Sequence, residues 1–285
     1  MSSHKIAIVT DSTAYIPEEA LGGLHIPVIP LWLLWGDERF RDGVDIDPPT
    51  FYRRLRVDKT FPTTSQPSAG EFIDFFRRVA AENGTDTIVG VYISSGISGT
   101  VASAELAKAQ LPELNITIID SLATSMSLGF IVLAAARAAA AGQSLNEIVT
   151  IAEEMRNRVH ILFTVDTLKY LHRGGRIGGA KRFLGTALNI KPLLHLEDGL
   201  VEPLAQVRTK RKAIARMLEI AAERLGGKRM AEAAVLNVDC PKEGEAVIEQ
   251  VKERFGISTV YRTTVSPVIG THVGPGTVGI AFYPE

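Results

Sequence analysis

With 285 residues, 46% of them hydrophobic and 22% charged, and a net charge of −1, the chain has the apolar material for one large or two medium cores. It lacks both the basic excess of a nucleic-acid surface and the polar bias of disorder. Cys240 is the sole cysteine, which excludes an internal disulfide and a cysteine-built zinc cage and suits a reducing compartment.

The start, Met1-Ser2-Ser3-His4, has no signal-peptide pattern, and the most apolar helical stretch, 127–141, is interrupted by Arg137 and too short to span a bilayer. A cytoplasmic chain without membrane spans and without a nucleic-acid partner is expected. Residues 5–10 read as a short apolar strand ending in the polar turn Asp11-Ser12-Thr13, and Pro17 is placed to start a short helix. The segment 26–35, punctuated by Pro27 and Pro30, reads as an edge or irregular strand, with Trp32 and Trp35 packing or lining a pocket. A helix follows Asp47-Pro48-Pro49 and runs through Arg56. Pro62 and Pro67 then bracket Thr63, Thr64, Ser65 and Gln66. Proline keeps such a segment extended, which predicts hydroxyls held in fixed positions outside any ladder. Ser68 and Glu71 form a capping box for a helix over 69–81.

Residues 87–93 are a β-branched apolar run of the kind a covered parallel strand has. They enter the loop Ser94-Ser95-Gly96-Ile97-Ser98-Gly99-Thr100, and a helix follows over 101–110. A helix start carries free N–H groups, and glycines let a ligand approach the backbone, so this loop is either an anion-binding turn or an ordinary strand-to-helix turn capped by serine. A strand at 116–119 ends in Asp120-Ser121 and precedes a long helix over 124–141. The alternation predicts parallel βαβ units, whose ligands lie beyond the carboxyl ends of the strands. Three polar turns fall at such ends, and the Thr64 segment adds a fourth.

Ser144 and Glu147 cap a further helix to about 157, after which the pattern changes. The expected organisation is therefore α/β: a Rossmann-like parallel-sheet domain over 1–158, and an α+β domain with a mixed or antiparallel sheet over 159–285. In the second half a strand at 159–164 and a helical turn at 167–172 lead into Arg173-Gly174-Gly175-Arg176-Ile177-Gly178-Gly179. This segment is either a mobile surface loop or a docking patch for an acidic partner or a phosphate. Strands at 191–196 and 201–207 flank Glu197-Asp198-Gly199-Leu200, with its Asp-Gly hairpin signal. Helices at 210–225 and 243–255 and strands at 233–238, 258–264 and 280–283 complete the pattern.

Gly274, Gly276 and Gly279 spell G-x-G-x-x-G, yet a strand follows where a dinucleotide fingerprint needs a helix. No G-x-x-x-x-G-K-[ST] occurs, and Gly96-Ile97-Ser98-Gly99-Thr100 misses the nucleophile elbow G-x-S-x-G at its last position. Arg208, with Arg211 one helical turn on, marks a strand-to-helix junction and is either a solvated helix start or a ligand group. His272, just before a Gly-Pro-Gly turn, has a functional role only if other groups converge on it.

Taken together, Val9-Thr10-Asp11-Ser12-Thr13, Thr64-Ser65-Gln66-Pro67-Ser68, the Ser94 to Thr100 loop, Asp120-Ser121, Tyr170-Leu171-His172-Arg173-Gly174-Gly175-Arg176-Ile177, Arg208-Thr209-Lys210-Arg211 and His272-Val273-Gly274-Pro275-Gly276 make the chain resemble the DegV family of bacterial fatty-acid-binding proteins nearly end to end. Gly96-Ile97 departs from the pattern, since many relatives carry a larger residue before a leucine there. The resemblance implies two α/β domains with a long-chain fatty acid such as palmitate, stearate or oleate buried between them, and no cofactor or metal. The head-group residues it implies are Thr64, Ser65, Ser94, Ser95, Gly96, Arg208, His272 and Val273. It also implies a carrier rather than an enzyme: the lipid is presented to a separate ATP-dependent kinase resembling dihydroxyacetone kinases, which converts it to an acyl phosphate. Arg173 and Arg176 would dock that partner, and transient contact with a membrane is compatible with the role. Burying methylenes contributes at most about 0.8 kcal/mol each, so the tail supplies affinity, while a buried carboxylate must be paired and hydrogen-bonded. Two other functions compete with this one. A serine-dependent acyl ester hydrolase would use Ser94, Ser95 or Ser98 with His272 as base, and a sensor or interaction module would keep the lipid only as filler.

Overall fold

The computed structural model describes residues 5–185 and 190–285, so Met1-Ser2-Ser3-His4 lies outside the described residues. β1 (Ile6–Asp11) is an apolar run buried along almost its whole length, as a parallel strand covered on both faces must be. After a 3-10 turn at Ser12–Ala14 come α1 (Glu18–Leu21), β2 (Val28–Ile29), β3 (Trp32–Trp35), β4 (Glu38–Arg41) and α2 (Pro48–Leu55). β5 (Thr63–Ser65), α3 (Ala69–Asn83), β6 (Thr87–Tyr92), α4 (Thr100–Lys108), β7 (Asn115–Asp120), α5 (Ser125–Ala140) and α6 (Leu145–Arg158) follow. Both expected capping boxes form, at Ser68/Glu71 and Ser144/Glu147.

The first sheet has the order β2-β1-β6-β7 and is parallel throughout, with the proline-flanked β2 at its edge. A separate small antiparallel sheet, β4-β3-β5, stands beside it. Its β3–β4 hairpin turns at Gly36, whose φ is +63°. β5 corrects one expectation: Thr63, Thr64 and Ser65 do enter a ladder, opposite Leu34, Leu33 and Trp32. Pro62 and Pro67 fall just outside the paired residues, so neither removes a ladder donor.

The second half contributes β8 (His160–Thr164), α7 (Lys169–Arg173), a 3-10 segment at Gly178–Phe183, β9 (Lys191–Glu197), β10 (Leu200–Val207) and α8 (Lys210–Leu225). β11 (Met230–Asn237), α9 (Pro241–Phe255), β12 (Val260–Thr264), α10 (Pro267–Val273) and β13 (Val278–Pro284) complete it. Its six strands run β10-β9-β8-β13-β11-β12, antiparallel except for β11 with β12. Asp198 and Gly199, both at positive φ, make the β9–β10 turn as the Asp-Gly signal requires. α10 was not anticipated. Ser266 caps it by accepting from the Ile269 N–H, Pro267 occupies its first turn, and Gly274 at φ +76° ends it.

α5 is apolar over most of its surface because it is buried along most of its length. It packs on β1 and β6 of the parallel sheet and on β13 of the mixed sheet. One hydrophobic cluster therefore runs from Ile8 and Val89 through Phe130 and Ile131 to Ala281 and Tyr283. At the solvent end of this junction Arg137 of α5 pairs with Glu232 of β11 at 2.5 Å, and the Tyr283 hydroxyl donates to the same carboxylate at 2.7 Å. Among the described residues no helix is long and apolar enough to cross a membrane.

Candidate functional site

A slot lies beyond the carboxyl end of the parallel sheet, where the mixed sheet and α10 close over it. Ile93 follows β6, Ile161 and Phe163 come from β8, Leu196 and Val201 from the β9–β10 hairpin, and Val268 and Ile269 from α10. With its open mouth included, the slot holds about 860 Å³ of atom-free space. Its lining is mostly apolar, and Thr64, Arg176 and His272 form one cluster among its polar groups.

That cluster is assembled from three distant segments. Strand alternation in β5 turns Thr64 toward α10, where Thr64 Oγ1 and His272 Nε2 share a hydrogen bond of 2.7 Å. Burial, then the nearby Arg176 charge, pushes the His272 pKa down to about 4, so the imidazole is neutral at neutral pH. His272 Nδ1 is buried and has no hydrogen-bond partner among the described residues. It lies against Gly174, where a Cβ would overlap it, so the glycine of the Arg-Gly-Gly-Arg segment is required by close approach. Arg176 is held by two backbone carbonyls: Nε donates to Ile97 O at 3.0 Å and Nη1 to Gly174 O at 2.7 Å. The third nitrogen, Nη2, is uncommitted among the described residues. A fixed guanidinium, a threonine hydroxyl and a neutral histidine together have the donors to bind a carboxylate or another small oxyanion.

Thr64, Ser65, His272 and Val273 all line this slot. The other expected head-group residues do not. Ser94 is fully buried, donating from Oγ to Gly199 O at 2.8 Å and accepting from the Gly96 N–H at 3.1 Å, which ties the loop after β6 to the hairpin tip. Gly96 packs so closely on that tip that a Cβ would stand 2.8 Å from Gly199 O. Ser95 is exposed, its N–H donating to Asp120 Oδ1 at 3.2 Å. Arg208 is exposed in a different surface cleft, beside Asp166 and Lys191. Arg176, expected to dock a partner, lines the slot, while Arg173 stays exposed and stacks over the Phe61 ring at 4.0 Å. Gly175, at φ +72°, turns the chain between these two arginines.

The Asp11-Ser12-Thr13 turn is also structural. Asp11 is fully buried and accepts from the Thr13 N–H and hydroxyl and from the Ile93 N–H, tying β1 to the end of β6. Trp32 and Trp35 pack rather than line the slot, donating to Glu71 Oε1 and Thr60 O. Residues missed from the sequence are Gln66, Thr124 and Ser125, all in the lining, and Ser98, weighed only as a nucleophile, lines it too. Thr124 carried a signal, since it immediately precedes the long apolar helix. Among the described residues no His, Cys, Asp or Glu cluster is arranged to hold a metal ion.

A family model described as "Uncharacterised protein, DegV family" matches residues 5–285. A DegV domain-containing protein of Streptomyces coelicolor is 41% identical over 281 residues, covering 98% of both chains. Among solved structures, a fatty-acid-binding DegV family protein of Thermus thermophilus superposes with a TM-score of 0.91 at 35% identity, over 99% of this chain and all of the other. DegV of Bacillus subtilis, a fatty acid binding protein, gives 0.89 at 35% identity over 99% and 100%. A stearic-acid-binding protein of Eubacterium ventriosum gives 0.88 at 26% identity, over 98% of each chain.

Proposed function

The chain belongs to the DegV family, and from that premise we propose that it binds a long-chain fatty acid in the slot between its two main sheets and presents the carboxylate to a separate kinase for acyl-phosphate formation. Thr64, His272 and Arg176 hold the head group in this scheme, with Ser65 and Val273 beside them. The observation that carries it is the convergence of these three polar groups at one point of a mostly apolar slot. Relatives of similar fold and high coverage bind fatty acids, one of them stearic acid. The alkyl tail supplies affinity by burial, and the fixed guanidinium offsets the cost of removing a carboxylate from water.

A partner is invoked because the sequence has no phosphate-binding G-x-x-x-x-G-K-[ST] with which to handle a nucleotide. Hydrolysis by this chain is disfavoured by the site itself. Ser94 donates to a backbone carbonyl, and His272 is bonded to Thr64 with no carboxylate on Nδ1 to orient it as a base. Mass spectrometry of an organic extract from natively purified protein tests the binding. A long-chain fatty acid at near one equivalent is expected, and a folded, monodisperse sample that yields no lipid and fails to bind a fluorescent fatty acid overturns it.

A further inference from the structure

Thr124 and Ser125 give the slot a second group of polar atoms that a plain alkyl chain cannot satisfy. Thr124 precedes the first turn of α5, where a threonine hydroxyl ordinarily accepts from a backbone N–H of that turn. Here it makes no cap bond. Its Oγ1 is buried without a partner among the described residues, on a residue 9% exposed. Ser125, 2% exposed, also has a partnerless Oγ. Its backbone sits at φ 52°, a left-handed conformation that a serine enters only against steric cost. Both residues line the slot. Two adjacent buried hydroxyls, one withheld from its cap and the other on a strained backbone, leave hydrogen-bonding capacity unused, and buried polar groups are seldom left so.

The chemistry of these atoms narrows what would satisfy them. A second carboxylate would need a cation, and Arg176, the one lysine or arginine lining the slot among the described residues, is held at the His272 site. Methylenes would leave both hydroxyls unpaired. A neutral oxygen on the chain, able to accept and in the case of a hydroxyl also to donate, would satisfy both. We propose that the Thr124–Ser125 hydroxyl pair is a subsite for an oxygen substituent on the acyl chain, so that the slot prefers a hydroxy or oxo fatty acid over the unsubstituted acid. This rests on the fatty-acid reading of the slot.

The test is competition against a fluorescent fatty acid, using stearic acid and a set of hydroxystearic acids that differ in hydroxyl position. In the native chain one positional isomer is expected to bind roughly tenfold more tightly than stearic acid, the worth of about one well-placed hydrogen bond. Thr124→Val keeps the shape and removes the hydroxyl, and Ser125→Gly removes the other while relieving the positive φ. Each is expected to erase the preference and to tighten stearic acid itself. If stearic acid binds and no isomer surpasses it, or the preference survives both substitutions, the subsite is wrong and the fatty-acid reading stands. If neither stearic acid nor any isomer displaces the probe, both fall.

Discussion

Arg176 illustrates how much depends on the geometry of a single side chain. With Nε and Nη1 fixed on Ile97 O and Gly174 O, its guanidinium needs no reordering when a head group arrives. Thr64→Val is therefore expected to weaken fatty-acid binding by about 1.5–3 kcal/mol, the worth of one hydrogen bond to a charged group. Arg176→Ala should weaken it further by leaving the carboxylate without a cation, whereas Arg208→Ala should leave it unchanged. Titration of the three variants by displacement of a fluorescent fatty acid checks the order, and an Arg208 effect as large as that of Arg176 would refute this assignment. The pH dependence of stability follows from His272. An unfolded histidine titrates near 6.5 and His272 near 4, so between those values the unfolded chain binds a proton that the folded chain refuses. Stability conferred by the neutral imidazole is thus complete above pH 6.5 and is lost as pH falls toward 4, by roughly 3 kcal/mol at most. His160, lowered to about 4 by burial and then by Arg224, adds in the same direction. Urea denaturation across this window should show a shallower acid loss for His272→Gln than for the native chain, with the His160 share remaining; parallel curves would contradict the shift.

At the scale of elements, the β9–β10 hairpin acts as one wall of the slot and as its closure. Leu196 and Val201 face the ligand space, while the tip rests on the loop after β6 through the Ser94–Gly199 hydrogen bond and the close contact at Gly96. Ser94→Ala leaves a carbonyl unpaired, costing about 1–3 kcal/mol, and frees the tip. The expected outcome is a lower melting temperature together with faster release of bound fatty acid, read by stopped-flow fluorescence, with the equilibrium site chemistry intact. An unchanged release rate would mean that the hairpin is held by its strand pairing alone. α10 and β5 form the opposite pairing. Neither has its own hydrophobic period, and each is ordered by its neighbours, which is why a helix carrying His272 could pass for a loop.

At the scale of the whole molecule, the two main sheets share α5 and a single hydrophobic cluster. The boundary drawn near residue 158 from composition separates the strands of the two sheets but not the core. Breaking one half exposes the other's apolar face, and so denaturation monitored by tryptophan fluorescence, which reports Trp32 and Trp35 in the first half, and by far-ultraviolet circular dichroism should give one coincident transition. Two separated transitions would show that the halves fold independently. Glu232→Gln, which weakens the Arg137–Glu232 junction, should lower the midpoint of that transition without splitting it.

Local physics was enough for much of this molecule. Capping boxes at Ser68 and Ser144, the Asp198-Gly199 turn, the prolines flanking an edge strand and the β-branched runs of β1 and β6 are each decided by residues within a few positions of one another. The sequence therefore determined the element order apart from β4, β5 and α10, the α/β class, and the carboxyl end of the parallel sheet as the place to look. It also singled out Thr64 and His272, which line the slot. It did not determine which hydroxyls and which arginine face the slot. Ser94 and Ser95 are adjacent, yet one is locked onto Gly199 and the other is exposed. Arg173 and Arg176 share one glycine-rich segment, yet only the second enters the slot. Those choices rest on contacts between residues tens to hundreds of positions apart, such as Ser94 with Gly199, Arg176 with Ile97 and Thr64 with His272. No local pattern encodes such contacts, because the partner that makes each one favourable arrives only when the two halves have packed.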